Sequence, residues 1–147
     1  MKKITTLMPP IAAATLLLIG FAAPAQAGPY WNKSVKCNAT DPDGRHIPTR
    51  VGNGELGWSH FSGKHNIHKC ALVNIPVQGN VDGIDGADIQ YWGWASNRAH
   101  GRVKLVVKAR YARKTTDGRY NAGQGKVIGV ITVYCNGMQK CPNWVNE

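Results

Sequence analysis

The chain has 147 residues, 18 Lys or Arg against 8 Asp or Glu, a formal net charge of +10, and four cysteines. That length holds one modest core and excludes a many-domain assembly. No CxxC pair exists and no apolar run after residue 27 is long enough to span a bilayer, so a zinc ribbon and a helical membrane bundle are excluded as well.

Residues 1–27 begin with Lys2 and Lys3, continue through an apolar run at Ile11–Ala23 and end in Ala25-Gln26-Ala27. A charged start, a short apolar middle and small residues before a cleavage point make a secretory signal peptide. Cleavage is expected after Ala27, giving a secreted, extracellular domain over 28–147. An even cysteine count in an exported domain predicts two disulfides among Cys37, Cys70, Cys135 and Cys141. Three pairings exist, and nearness in sequence favours Cys37–Cys70 with Cys135–Cys141.

Gly28 to Gly54 reads as loop, with Asp41-Pro42-Asp43-Gly44 and Pro48 as turn signals. A short helix is expected over roughly 54–65, opened by Asn53 or Gly54 and carrying Leu56, Trp58 and Phe61 as apolar contacts. Ile67 to Gln78 is a second apolar piece broken by Pro76. Asn80 to Asp88 reads as an acidic loop. Its carboxylates at 82, 85 and 88 lack the closing Glu of a twelve-residue calcium loop.

The sheet is expected to begin at Ala87–Ala95, ADIQYWGWA, which is rich in β-favouring aromatics. Within Arg102 to Lys114 the chain alternates over ten residues, with Val106 standing among the cations. Val103, Leu105, Val107, Ala109 and Tyr111 fall on one side; Arg102, Lys104, Lys108 and Arg110 fall on the other. Asp117-Gly118 supplies a turn. Lys126–Cys135 is apolar on both faces, which predicts a central strand. The expected fold class is therefore α+β: a short N-terminal helical segment packed on an antiparallel β-sheet, with two disulfides.

Charge and histidine are both concentrated. Nine basic residues and one acidic residue, Asp117, lie between Arg98 and Lys126, which suits a polyanion such as RNA. Three of the five histidines fall within GWSHFSGKHNIHK, Gly57–Lys69. His60 and His65 are five apart, about 140° around an ideal helix, so a shared site requires Gly63 or Asn66 to end the helix between them. His60, His65 and His68 could hold a metal, but no carboxylate sits among them; no metal and no other cofactor is expected.

The stretch GELGWSHFSGKHNI places a Gly-rich lead-in, an aromatic and His-x4-His ahead of an aromatic strand, a long basic strand and KVIGVITVYC. This arrangement, over Gly52–Tyr134, resembles the compact bacterial RNase toxin domains of the barnase, EndoU, colicin and RelE-like group. The resemblance implies metal-independent cleavage of RNA. It implies catalytic roles for His60, His65, Thr132 and Tyr134, and phosphate binding by Lys108 and Arg110. Lys104 lies on the same cationic strand face, and Trp92, with Trp94, forms a candidate stacking platform. This chain differs from the group in its leader, its cysteines and the long acidic stretch at 82–88.

Histidine suits such chemistry because both protonation states exist near neutrality. Lys and Arg suit it because they hold fixed charge where the phosphate gains it. The rival reading is a secreted binding or inhibitor protein that uses the cationic face to hold an anionic surface or a protein partner. The two readings separate on convergence: catalysis requires the histidines and the Thr132/Tyr134 face to meet beside Lys108 or Arg110.

Overall fold

The computed structural model describes residues 28–147; the expected leader and its cleavage point at Ala27 lie outside them. Eight named elements follow in order: β1 (Asn32–Thr40), β2 (His46–Gly52), α1 (Trp58–His65), α2 (Ala71–Gln78), β3 (Val81–Asp85), β4 (Asp88–Asn97), β5 (Gly101–Arg110) and β6 (Gly129–Cys135). One 3-10 turn, Asn143–Asn146, closes the chain. β1 and β2 form an antiparallel hairpin, and β3 to β6 form a four-stranded antiparallel meander in sequence order. The class is α+β, and the disulfides are Cys37–Cys70 and Cys135–Cys141.

Both helices have only eight residues, too short to persist alone in water. Burial holds them. Phe61, Ile67, Val73 and Val77 are almost fully enclosed against Ile89, Tyr91, Leu105, Val107 and Val133 on the inner sheet face. Each such side chain contributes about 2 kcal/mol relative to exposure. α2 approaches β4 closely because position 93 has no side chain: a Cβ there would stand 2.5 Å from Pro76 Cγ. Cys70, just ahead of α2, ties that helix to β1 through Cys37.

Three sequence expectations are corrected. The segment at 28–54 is a hairpin, and its Asp41–Gly44 signals form the turn between two strands. Asp41 organises that turn. One of its oxygens accepts from the Asp43 and Arg45 amides, the other from Arg45 Nε at 2.7 Å and Tyr91 Oη at 2.8 Å. The acidic stretch at 80–88 holds β3 and a tight turn to β4, with Asp85 opposite Asp88. Asp82, at an irregularity in that pairing, accepts the Trp92 amide at 2.7 Å.

The third correction concerns β6, which is an edge strand and not a central one. Val130, Val133 and Cys135 turn to the core, Thr132 and Tyr134 on the other face are only partly covered, and α1 and β2 pack against the strand. The connection from Tyr111 to Ile128 adds a second, smaller core of Trp31, Leu56, Tyr120, Ala122 and Ile128. Arg50, buried in β2, anchors this connection by donating to the Val127 carbonyl and to the Lys33 carbonyl at 2.7 Å.

Candidate functional site

The site begins with a bulge. Lys108 pairs with Thr132 and Ala109 with Val130, which leaves Ile131 unpaired on β6. A bulge re-aims the backbone. Here the Ile131 carbonyl accepts the Gly57 N–H at 2.9 Å, at the head of α1. Gly57 has φ 79°, and a Cβ there would meet the Arg50 carbonyl at 2.6 Å. Only glycine fits that backbone without strain. The chain thus delivers α1 to the open edge of β6.

At that edge His65 reaches the Tyr134 side of the sheet, and His60 lies next to His65. The helix continues through His65 and ends at Asn66, the one non-glycine residue with positive φ among those described. It does not stop at Gly63; of the two stops the sequence offered, Asn66 is the one used, just after His65 and not between the two histidines. Their rings nevertheless lie 5.4 Å apart, edge to face, because the side chains lean toward one another. His65 then faces Tyr134 at 5.9 Å between ring centroids, and Lys108 Nζ lies 5.7 Å from the Tyr134 ring centre.

The imidazoles are oriented by backbone carbonyls. His60 Nδ1 donates to Gly54 O and His65 Nδ1 donates to Gln139 O, each at 2.9 Å. A carbonyl can only accept, so the proton of each neutral ring sits on Nδ1 and its lone pair on Nε2. Among the described residues neither Nε2 has a protein partner. The loop bearing Gln139 is held in turn. Cys141 N donates to His65 O at 2.9 Å, Asn66 Nδ2 donates to Cys141 O at 2.9 Å, and Cys135–Cys141 closes the loop.

The predicted site residues divide into those brought together and those kept apart. His60, His65, Tyr134 and Lys108 form one continuous cluster. Thr132 lies opposite Lys108, with a shielded hydroxyl that has no partner among the described residues. Arg110 stands apart. Its guanidinium bonds Asp88 at 2.9 Å and the Lys114 carbonyl at 2.6 Å, so it is committed to the fold. His68 turns to Asn66 Oδ1. Among the described residues no three His, Cys, Asp or Glu side chains converge as metal ligands.

Lys104 and Trp92 lie beyond the cluster, with Lys104 Nζ 3.2 Å from the Trp92 ring centre. In the other direction Lys108 also borders an open cleft of about 640 Å³, whose lining includes Gln90, Thr116 and Ile131. The arrangement therefore offers two oriented imidazoles, a phenol and an ammonium on an open face. The sequence did not single out the carbonyls of Gly54 and Gln139, because any residue type supplies one. No protein-family model, curated protein or solved structure matches the chain.

Proposed function

We propose that this protein is a secreted, toxin-type ribonuclease that cleaves RNA by histidine-assisted transesterification without a metal. The observation that carries the reading is the cluster of His60, His65, Tyr134 and Lys108, with both imidazoles presenting a free Nε2. The resemblance of GELGWSHFSGKHNI and the last strand to RNase toxin domains supports it. The two disulfides fit an oxidising compartment.

In this reading the scissile phosphate sits beside Tyr134 and Lys108. One neutral imidazole takes the 2′-hydroxyl proton on Nε2 as that oxygen attacks phosphorus. The other, protonated, gives its Nε2 proton to the departing 5′-oxygen as the P–O5′ bond breaks. The products are a 2′,3′-cyclic phosphate and a 5′-hydroxyl, and Lys108 offsets the negative charge between the two steps. One imidazole must be neutral and the other charged, so the rate is bell-shaped in pH.

The test is cleavage of mixed RNA in EDTA by oxidised protein over residues 28–147, beside a His65→Ala variant. Cleavage that falls about 10²–10⁴-fold in the variant supports the reading. RNA left intact by the parent sinks it and leaves the rival, a secreted protein that binds an anionic partner through the same face. Equal cleavage by both proteins excludes His65 from the chemistry.

A further inference from the structure

Residues paired across an antiparallel sheet project from the same face. The pairing register therefore lays out the outer face in rows. Gln90, Lys108 and Thr132 make one row; Trp92, Val106 and Tyr134 make the next; Trp94 with Lys104, and then Ser96 with Arg102, follow. Trp92 and Trp94 are 44% and 55% exposed. Each carries a cation over its ring, Lys104 Nζ at 3.2 Å and Arg102 Cζ at 3.8 Å from the ring centres. These four rows contain no carboxylate, and the neighbouring Asp82 is engaged by the Trp92 amide.

We propose that Trp92, Trp94, Arg102 and Lys104 form a track for single-stranded nucleic acid that continues outward from the histidine cluster. This rests on the RNA reading of that cluster and extends it. Trp92 and Tyr134 share a row two strands apart, about 10 Å. A chain whose phosphate lies at Tyr134 then passes its next bases over the indoles. Base stacking on an aromatic ring outweighs an exposed cation–π contact. A base thus takes the place of each cation on its ring, and the cation follows the neighbouring phosphate. In a duplex the bases are already stacked and paired, so the indoles select single strands.

Binding can be read apart from cleavage. A labelled oligodeoxythymidylate of about ten nucleotides has no 2′-hydroxyl and survives the reaction, so its anisotropy reports affinity alone. The parent is expected to bind it at low salt, and the double variant Trp92→Ala with Trp94→Ala to bind at least about 10-fold more weakly. Phe at both positions is expected to restore most of that loss. An abasic chain of the same length is expected to bind parent and double variant equally and weakly. Thermal unfolding of each variant confirms its fold. The track is overturned if the parent binds neither chain, or binds both equally, the latter marking a surface that reads charge alone. Equal oligodeoxythymidylate affinity in parent and double variant overturns it too. A parent that binds the oligomer yet leaves RNA intact overturns the catalytic reading and keeps the track; cleavage without oligomer binding does the reverse.

Discussion

His65 Nδ1 donates to the Gln139 carbonyl at 2.9 Å, and Gln139 sits in the loop that Cys135–Cys141 closes. The orientation of a candidate catalytic base is therefore set by a cross-link spanning only six positions.

The two disulfides should separate stability from activity. Chain-entropy estimates give about 4 kcal/mol for Cys37–Cys70, with its separation of 33, and about 2 kcal/mol for Cys135–Cys141, with its separation of 6. Replacing the first pair by Ala is expected to lower the denaturation midpoint more. Replacing the second pair is expected to lower RNA cleavage more, by about 10-fold or greater, because His65 loses its fixed partner. Urea unfolding and kcat measured on both variants check the crossing; equal kcat losses would remove the Gln139 loop from the argument.

Lys108 and Lys104 should part in kinetics. Lys108 lies beside Tyr134 and His65, whereas Lys104 lies on Trp92. Under the proposed ribonuclease reading, Lys108→Met is expected to lower kcat about 100-fold, because that reading aims its charge at the reacting phosphate. Lys104→Met is expected to raise KM with kcat nearly unchanged. A kcat loss as large in Lys104→Met would move the reacting phosphate toward β4.

Stability should fall at both ends of the pH scale for one structural reason. Burial pushes the Asp41 carboxyl up, but bonds from the Arg45 amide, the Arg45 guanidinium and Tyr91 outweigh it and hold the carboxyl below its usual value. A depressed carboxyl stabilises fully above its unfolded pKa of about 3.9, and that contribution is lost as pH falls through the folded value. Burial raises the Tyr91 phenol, and the Asp41 carboxylate raises it further. Its contribution is present below the ordinary phenol pKa of about 10 and lost as pH climbs above it. Asp41→Asn is expected to cost about 2 kcal/mol at neutral pH, since it weakens the buried acceptor of the Tyr91 hydroxyl and the Arg45 guanidinium, while Arg45, partly exposed, keeps its bond to Asp43. It should also flatten the acid limb. Melting temperatures from acid to alkali, with tyrosinate absorbance at the alkaline end, report both limbs.

Two glycines of the first helical segment should respond with opposite sign. Gly57→Ala places a Cβ 2.6 Å from the Arg50 carbonyl at φ 79°, and is expected to destabilise by about 2 kcal/mol and displace α1. Gly63 lies inside α1 with open space around it, so Gly63→Ala is expected to stabilise by about 0.5–1 kcal/mol. Chemical denaturation of the two variants decides it.

The strands that alternate cleanly were legible in the sequence. β5 shows its buried side at Val103, Leu105, Val107 and Ala109, and its cations opposite, because the core covers one face while the other, apart from buried Val106, is at least partly open to water. β1 was hidden because its exposed run, Lys33 to Lys36, carries no such contrast, and β2 because it contains Pro48. β6 looked central because its apolar run, KVIGVITVYC, reads alike whether a strand or a helix lies beside it. The histidine pair was visible as a concentration of one residue type. Its meeting with Tyr134 depended on the Ile131 bulge and the Gly57 turn, which no periodicity encodes. The Asp41–Arg45–Tyr91 network joins positions 50 apart, and no local pattern announces it.

The free edge of the meander is β3, five residues long, irregular in its pairing and bearing Asp82 and Asp85. A short, kinked strand with two negative charges is a poor template for another chain's backbone. The opposite edge is already sealed by the first helix and the hairpin. An open row of backbone groups at a sheet margin would ordinarily invite strand-to-strand growth when molecules crowd together. Among the described residues neither margin offers that template.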